Sequence, residues 1–366
     1  MILEFLDENL SVFSFMAILS ALTLLLSNSL VPNQTSAITL EEQEGFPNLV
    51  LVSTSTTNSQ QDPSNSSSMN ATQIPEKAKG PAIPSKGYLV EEIRDGLYWV
   101  TDGVYNTMFL VSDEGVIAVD APPSRGENYI KAIREVTVKP IRYAVYSHSH
   151  VDHIGSAGNL YPDNVTIVAQ EETAKLLKIA NDSNRPIPTI TFKDNYNLTL
   201  GNQTLELNYK GVNHEPGNTY MYAPGQKTLM FVDVIYPGWV PFKDLAITTN
   251  VSGFVQAHDI VLSYDFDTLV GGHLTRLGTI EDVNIQKEFI MDLVNASKAA
   301  NSKINFVDYV SKYGLTNPWL TFSEYTNAVT DECTNTMLGK WKDRLGGAEQ
   351  FTESHCWTMT QSQRVD

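Results

Sequence analysis

The segment "AVYSHSHVDHIGSAGN", residues 144–159, gathers three of the seven histidines of the chain and one aspartate. Four side chains lie within six positions: His148, His150, Asp152 and His153. The short apolar run "IRYAVYS" leads into them, which predicts a strand that ends at this cluster. Side chains two apart on an extended strand point the same way. We therefore expect the first pair to bind one metal ion and the second pair, beyond the turn, to bind another.

Three further ligand candidates follow strand-like runs downstream: His214 in "GVNHEPGN", Asp233 in "LMFVDVIY" and His273 in "LVGGH". We expect His214 to complete the first site, His273 to complete the second, and the two carboxylate oxygens of Asp233 to bridge both. Imidazole and carboxylate ligands suit zinc, with iron or manganese as alternatives. The sequence thus predicts two divalent metal ions. His258 and His355 lack such neighbours and are expected to be ordinary surface or packing residues.

The order of strand and helix patterns indicates the fold class. Antiparallel strands and a helix are predicted from residue 88 to 136, strand–helix pairs follow, and strands return between 189 and 234. This order fits an α/β (α+β) sandwich of two mixed sheets with outer helices better than one doubly wound sheet. Helical periodicity dominates beyond residue 280. We expect a catalytic domain at residues 85–280 and a helical C-terminal extension at 281–366.

The first 84 residues differ in composition from the rest. Residues 10–31 are uncharged and mostly apolar. This pattern predicts a signal peptide or membrane anchor over residues 1–37. No Lys or Arg precedes this run, so a buried helix or a misassigned start codon is the alternative. Residues 38–84 are rich in Ser, Thr, Asn and Pro and predict a disordered linker. Together with frequent Asn-x-Ser/Thr sequons, they favour a secreted or cell-surface protein.

The charge and cysteine content of the chain limit the kinds of binding partner and the compartment that we expect. The formal net charge is −17, and the sequence has no basic nucleic-acid footprint, so we expect a small-molecule substrate. The sequence leaves open a membrane tether through the N-terminal segment and any oligomer. Cys333 and Cys356 are the two cysteines of the chain. In an exported protein they are expected to form a disulfide between the last helix and the tail, with two free thiols as the alternative.

These motifs make the sequence resemble the metallo-β-lactamase-fold hydrolases. The H-x-H-x-D-H, "HEPGN" and "GGH" segments match the metal motifs of that family in order, over roughly residues 88–280. Asp120 in "AVDAPPS" matches an early aspartate that usually lies behind the ligands. The resemblance implies an αββα sandwich and a two-metal site. Two metal ions would hold a hydroxide nucleophile near neutral pH and polarise the bond to be cut, and Asp152 would pass the proton.

The substrate class follows from the resemblance. An aspartate at position 233 is typical of the lactonases, glyoxalase-type thioesterases and several phosphodiesterases of the family, whereas its best-known lactamases carry cysteine. Tyr236, three residues later, matches a tyrosine that touches the substrate carbonyl in quorum-quenching lactonases. We expect a lactonase or β-lactamase type of hydrolase that opens a cyclic ester or amide, such as an N-acyl homoserine lactone or a β-lactam. Thioesterase, phosphodiesterase and di-iron oxidoreductase activities are the alternatives.

Overall fold

The structure, a computed structural model, describes residues 74–365. The first of its two sheets has seven strands in the order of the sequence: β1 (Leu89–Arg94), β2 (Leu97–Thr101), β3 (Asn106–Val111), β4 (Val116–Val119), β5 (Ile141–Val145), β6 (Thr166–Gln170) and β7 (Ile190–Phe192). Strands β1–β4 pair antiparallel and β4–β7 pair parallel. The sheet is therefore mixed, with hairpins at one side and helical crossovers at the other.

The second sheet has the order β12-β11-β10-β9-β8. Its strands are β8 (Asn195–Leu200), β9 (Gln203–Asn208), β10 (Tyr220–Ala223), β11 (Thr228–Phe231) and β12 (Thr268–Gly271). Only β11 and β12 pair in parallel within it. The two strands therefore end at the same edge, which is where Asp233 and His273 follow them.

The two sheets stack face to face, and the side chains along their strands alternate between the shared core and the outer layers. In β3, Met108 and Leu110 pack against residues of the second sheet such as Leu207 and Met230. Phe109, between them, points to the other face and packs with Tyr129 of the helix that crosses it. Successive side chains of a strand face opposite ways, so each sheet contributes one face to a shared core and one to a helical layer.

Helices cover both outer faces. Those of the first half are α1 (Glu127–Val136), the short α2 (Val151–Ile154) and α3 (Ala157–Leu160), and α4 (Glu171–Ala180). Those of the second half are α5 (Val251–Leu262), α6 (Ile280–Lys303), α7 (Phe306–Tyr313), α8 (Pro318–Trp341) and α9 (Ala348–Val365). The predicted fold class, a sandwich of two mixed sheets with outer helices and a C-terminal helical region, is confirmed.

The C-terminal region carries the predicted disulfide. Cys333 on α8 and Cys356 on α9 are bonded, with 23 residues of sequence separation, and both are buried. The pairing is confirmed, and the tail that it holds is an 18-residue helix within the expected helical extension. Thr and Ser occupy several positions of α9 and favour helices weakly, so packing rather than propensity stabilises it.

The end of the predicted linker packs on the folded region that follows it. Residues Glu76–Ala78 form a 3₁₀ turn, and Ala78 is fully buried. The carbonyl of Ala78 accepts a hydrogen bond from Trp239 Nε1 at 2.8 Å, and that of Lys77 accepts one from Arg276 Nε at 2.6 Å. The expectation of a disordered linker up to residue 84 is therefore wrong for this turn, because its backbone is held by the domain. Residues 38–73 lie outside the described part.

The predicted anchor also lies outside the described residues, since it falls within residues 1–37. Across residues 74–365, no helix combines the length and the apolar character that a membrane crossing requires.

Candidate metal centre

The structure brings all seven predicted ligands to one edge of the sandwich. His148 and His150 lie in the connection that leaves β5, and Asp152 and His153 lie in the first turn of α2. The other three follow or connect strands of the second sheet: His214 between β9 and β10, Asp233 after β11 and His273 after β12. The ligands converge because the strands that deliver them end at the same edge.

The first group joins three histidines. The Nδ1 atom of His150 lies 3.1 Å from Nε2 of His214. Asp233 Oδ2 lies 3.3 Å from His214 Nε2 and 3.5 Å from His148 Nε2. The sequence analysis expected this division of ligands.

The second group joins Asp152, His153 and His273. The Nε2 atoms of the two histidines are 3.0 Å apart, and each lies 3.6 Å from Asp152 Oδ2. Asp233 stands between the groups: its Oδ2 lies 3.2 Å from His153 Nε2, and its Oδ1 lies 3.0 Å from His273 Nε2. One carboxylate therefore faces both groups, as a bridging ligand requires.

These separations fit divalent metal ions. Zinc bonds of about 2.0–2.1 Å in tetrahedral geometry put neighbouring ligand atoms about 3.3 Å apart. The observed separations, 3.0–3.6 Å, bracket that value. In addition, the fully buried Nε2 of His148 has no hydrogen-bond partner among the described residues. A buried nitrogen without a partner is costly unless it binds an ion, so the donor set fits two metal ions.

Charge couples the two groups. Burial opposes ionisation of Asp233, but His153 and His273 outweigh it and hold the pKa of this carboxyl well below its usual value. Burial likewise opposes protonation of His153, yet Asp233, Asp152 and Asp120 raise its pKa to about 9. The surplus of negative charge around this histidine is the electrostatic signature of a site built for cations.

Glu215 is a site residue that the sequence analysis missed. Its Oε2 accepts a hydrogen bond from His150 Nε2 at 2.9 Å, and its Oε1 accepts bonds from the backbone N–H and the hydroxyl of Ser149. The bond to Nε2 leaves Nδ1 of His150 free to bind metal, as its position demands. A carboxylate that orients a ligating histidine is common in metal sites. The acidic residue directly after His214 was the available signal.

Asp120 lies behind the ligands, as the resemblance implied. It is fully buried, its Oδ1 accepts a hydrogen bond from the backbone N–H of Ser147 at 2.7 Å, and its Oδ2 lies 4.0 Å from His153 Nδ1. Burial raises its pKa to about 6, against the opposing effects of His153 and Ser147. It therefore supports both the ligand-bearing loop and one ligand.

Two tyrosines flank His273. Tyr236, the predicted one, is nearly buried, and its ring lies parallel to that of His273 with the centroids 6.1 Å apart. Tyr105 was missed, since no motif marks it. Its hydroxyl lies 3.4 Å from Asp152 Oδ2, and burial and that carboxylate raise its pKa to about 12. Burial and Asp233 raise the pKa of Tyr236 as well, so both phenols stay protonated and can donate hydrogen bonds.

Two glycines give the backbone room at this edge. A Cβ at Gly272 would lie 3.0 Å from His153 Cε1 and 3.1 Å from Asp233 Oδ1, so a side chain there would displace ligands. Gly155 caps α2, the short helix that carries Asp152 and His153. A Cβ there would meet the carbonyl of Val151 at 2.4 Å, so the glycine relieves contact within the helical turn.

The remaining two histidines are buried rather than at the surface. His258 Nε2 accepts a hydrogen bond from Gln286 Nε2 at 3.2 Å, and Gln286 Oε1 accepts one from the backbone N–H of Tyr236 at 2.7 Å. His355 bonds to the backbone of residues 241 and 245. Of the two alternatives expected for them, surface or packing, both residues take the packing one. Each holds a segment that reaches the metal edge.

A cavity of about 480 Å³ opens over the ligands. One side, which we call the metal wall, consists of ligand residues of the cluster and the two tyrosines that flank His273. The other, which we call the apolar wall, consists of Trp239, Val240, Phe242, Ala246, Ile247 and Phe351. Among the described residues that line the cavity, none is Lys or Arg. The site therefore offers metal ligands and phenol donors to one end of a molecule and hydrocarbon to the other.

Comparisons with known proteins agree with this geometry. The family model of the metallo-beta-lactamase superfamily matches residues 100–273. The alpha subunit of a 2,4-dinitroanisole O-demethylase from Nocardioides sp. (strain JS1661) is 29% identical over 195 residues, 52% of this chain and 59% of that protein. The chain therefore matches little more than half of that relative's length. A type 2 metallo-beta-lactamase from Elizabethkingia meningoseptica is 25% identical over 50% of this chain and 78% of its own length.

Solved structures are also similar. A metallo-beta-lactamase from Pontibacter korlensis is 20% identical, with a TM-score of 0.49, and the match covers 56% of this chain and 99% of that one. The metallo-beta-lactamase IND-7 is 18% identical, with a TM-score of 0.48, over 56% of this chain and all of its own. Residues 100–273 of this chain therefore match the metallo-β-lactamase superfamily, and the two-sheet fold and the ligand cluster agree with that match.

Proposed function

We propose that this protein is a metal-dependent hydrolase that opens cyclic esters, with lactones preferred to β-lactams. The observation that carries the proposal is Asp233, a carboxylate that faces both ligand groups in a cavity also lined by Tyr236. Divalent metal ions bound there would supply a nucleophilic hydroxide near neutral pH and a Lewis acid for the ester carbonyl.

The side chains of the metal wall have separate roles. Asp152, whose side chain is 43% exposed, borders the cavity and is the carboxylate that can accept a proton from the attacking water. Tyr105 and Tyr236 are protonated donors that line the same cavity, one half-exposed and one nearly buried. Donors fixed in place lower the energy of an anionic oxygen as it forms. We assign them to the carbonyl oxygen and the leaving oxygen of the substrate.

Charge favours a neutral substrate over an anionic one. The lining residues include no cation among the described residues, and the whole chain carries a net charge of −17. A β-lactam antibiotic or a phosphodiester brings a fixed negative charge, and no Lys or Arg of the lining could pair it beside the metal ions. A neutral lactone brings no such charge. This supports lactones over the β-lactam and phosphodiester alternatives.

A second candidate is hydrolysis of an aryl ether or aryl ester. Five aromatic side chains line the cavity: Tyr105, Tyr236, Trp239, Phe242 and Phe351. Such a lining suits an aromatic substrate. The relative named as a 2,4-dinitroanisole O-demethylase subunit also favours this candidate.

We also propose that the protein is exported, either secreted or tethered at the cell surface by residues 1–37. The Cys333–Cys356 disulfide supports an oxidising compartment, because such bonds are rare in reducing ones. Cell fractionation with an antibody would test this, and recovery of the full-length chain with cytosolic markers alone would contradict it.

The test of activity uses the full-length protein, metal analysis and a substrate panel. The panel contains an N-acyl homoserine lactone, a chromogenic β-lactam, a phosphodiester and 2,4-dinitroanisole. We expect two metal equivalents and the highest kcat/KM for the lactone. Two equivalents without lactone turnover would reject the first candidate, and turnover of the anisole alone would establish the second.

A further inference from the structure

The apolar wall contains a backbone conformation that needs outside support. Four consecutive residues, Asp244, Leu245, Ala246 and Ile247, have φ between 55° and 58°, which forms a left-handed turn. Side chains other than glycine crowd the backbone in this conformation, and runs of it are rare. Such a segment persists only where its surroundings fix it. It borders the cavity through Ala246 and Ile247.

Helix α9 supplies that support. The backbone N–H of Leu245 donates to His355 Nδ1 at 3.1 Å, and that of Asp244 donates to Ser354 Oγ at 3.0 Å. His355 Nε2 donates to the carbonyl of Pro241 at 3.1 Å. The imidazole is fully buried and bonds to Pro241, which precedes the segment, and to Leu245 within it, so it acts as one neutral tautomer with one acceptor and one donor.

The far end of the turn reaches the metal wall. The backbone N–H of Thr249 donates to the carbonyl of His214 at 2.8 Å. The segment is therefore held between α9 on one side and a metal-ligand loop on the other. Its position relative to the metal edge is fixed by contacts from both, although α9 lies more than 70 residues beyond the region that matches the family.

The turn presents hydrocarbon to the cavity. Phe242 is 50% exposed and Ile247 is 62% exposed, although both are large apolar side chains. Phe351 of α9 packs edge-on against Phe242, with the ring centroids 5.2 Å apart. Exposed apolar side chains grouped at a cavity mouth mark a contact surface. This apolar surface is continuous with the metal edge. The molecule that contacts it is therefore the same molecule that reaches the metal ligands.

We propose that the C-terminal helices form a specificity site, in which an alkyl or aryl arm of a neutral substrate lies between Phe242, Ile247 and Phe351. His355 is the positioning residue of this site, because its bonds to Pro241 and Leu245 hold the segment 241–247, which carries Phe242 and Ile247. The inference rests on the proposed function only in naming the arm as part of a substrate. Binding to the wall itself is independent of hydrolysis and can be measured without it.

The first experiment measures binding of uncleaved probes to the full-length protein. N-Alkyl acetamides with butyl, hexyl, octyl and decyl chains are neutral and resist hydrolysis, and calorimetry gives their Kd. We expect affinity to rise by about fourfold for each methylene until the wall is filled, because each buried methylene contributes to transfer from water. Equal Kd values along the series would overturn the proposal, whatever the substrate panel shows.

Variants then locate the site. Phe351→Ala and Phe242→Ala should each flatten the dependence on chain length without changing metal content. Trp319→Ala is the matched control, since Trp319 is 79% exposed on α8 and does not line the cavity. An unchanged dependence in both Phe variants would overturn the proposed wall. A dimer that Phe242→Asp dissociates would show that the face binds a second copy instead, which would also overturn it.

The role of His355 is tested by a pair of substitutions. His355→Leu removes both hydrogen bonds and should lower the ratio of butyl to decyl Kd at least tenfold, with two metal equivalents retained. His355→Gln keeps an acceptor and a donor and should restore part of that ratio. If His355→Leu does not fold, Ser354→Ala removes the single bond to Asp244 and should show a smaller loss. A ratio unchanged in every folded variant would refute the positioning role.

Discussion

The two walls of the cavity are built in different ways. Every ligand of the metal wall lies in a connection that follows a strand, including the short helix α2, so the strands and their connections bring the ligands together. The apolar wall depends on a left-handed turn that is held by a helix about 110 residues further along the chain. The positions of the metal ligands thus depend on secondary structure, whereas the positions of the apolar side chains proposed to select the substrate depend on tertiary contacts. The walls should therefore fail separately when their supports are removed.

The metal wall has the largest predicted effect. Asp233→Asn removes the charge of the bridging carboxylate but keeps its shape, and asparagine tolerates the positive φ of 61° at this position. We expect loss of at least one metal equivalent and a fall in kcat/KM of about 1,000-fold, or about 4 kcal/mol of transition-state stabilisation. Metal analysis and the substrate panel measure both.

The same variant tests the independence of the walls. Binding of the decyl probe should stay within about twofold of the original protein, because no contact of the apolar wall involves residue 233. Two metal equivalents in Asp233→Asn would contradict the bridging role. Loss of probe binding would contradict the separation of the walls.

The disulfide tests the apolar wall. Cys333→Ser with Cys356→Ser opens a loop of 23 residues, and the chain-entropy account predicts a loss of about 3 kcal/mol of unfolding free energy. Because Cys356 follows His355, we expect the loosened helix to weaken the chain-length dependence of probe binding while metal content stays unchanged. Urea unfolding and calorimetry measure the two effects. A variant that lost metal instead would contradict our account, because it would show that α9 supports the metal wall.

The two tyrosines sharpen the metal wall itself. Tyr105→Phe and Tyr236→Phe each remove one donor, and we expect kcat to fall about 10- to 100-fold in each with metal content intact. Because Tyr105 is the more exposed of the two, its loss should also raise KM. Steady-state kinetics on the best substrate of the panel separates the effects. Full activity in either variant would remove that phenol from the mechanism.

The metal wall could be predicted from the sequence because its signals are local. His148, His150, Asp152 and His153 are within one short segment, and the strand pattern before them fixes their direction. Glu215 could have been found as the acidic neighbour of His214. Tyr105 could not have been found from the sequence. It reaches Asp152 only because two chain segments that are far apart in the sequence meet in a β-bridge between Tyr105 and His273.

The apolar wall could not be predicted for a physical reason. The run "KDLAI" at residues 243–247 contains no glycine or asparagine, and its one residue that tolerates the left-handed region, Asp244, indicates at most a single such residue and not a run of four. Its backbone is set by His355 and Ser354, whose helix has a composition with weak helix preference. The conformation is therefore a property of the tertiary contact and not of either segment alone.

Acid should destabilise the fold through the buried histidines that support the two walls. This is the smallest of the expected effects. Burial lowers the pKa of His355 to about 3 and that of His258 to about 4, from an ordinary value near 6.5. The unfolded chain then binds more protons than the folded one below pH 6.5. The stability is fully present above that value and is lost as the pH falls towards the folded pKa values.

Each buried histidine should therefore contribute about 1.4 kcal/mol of lost stability between pH 7.5 and 5.5. Urea unfolding of metal-free protein at these two pH values measures the loss, since bound metal would mask it. His355→Gln should lose about 1.4 kcal/mol less than the original protein over this range, and His258→Gln is the matched variant with the same expectation. Equal losses in all three proteins would show that these imidazoles take up a proton, with its charge, as readily in the fold as in the unfolded chain. Such a charge would be incompatible with the acceptor role of His355 Nδ1, and the left-handed turn would then need another support.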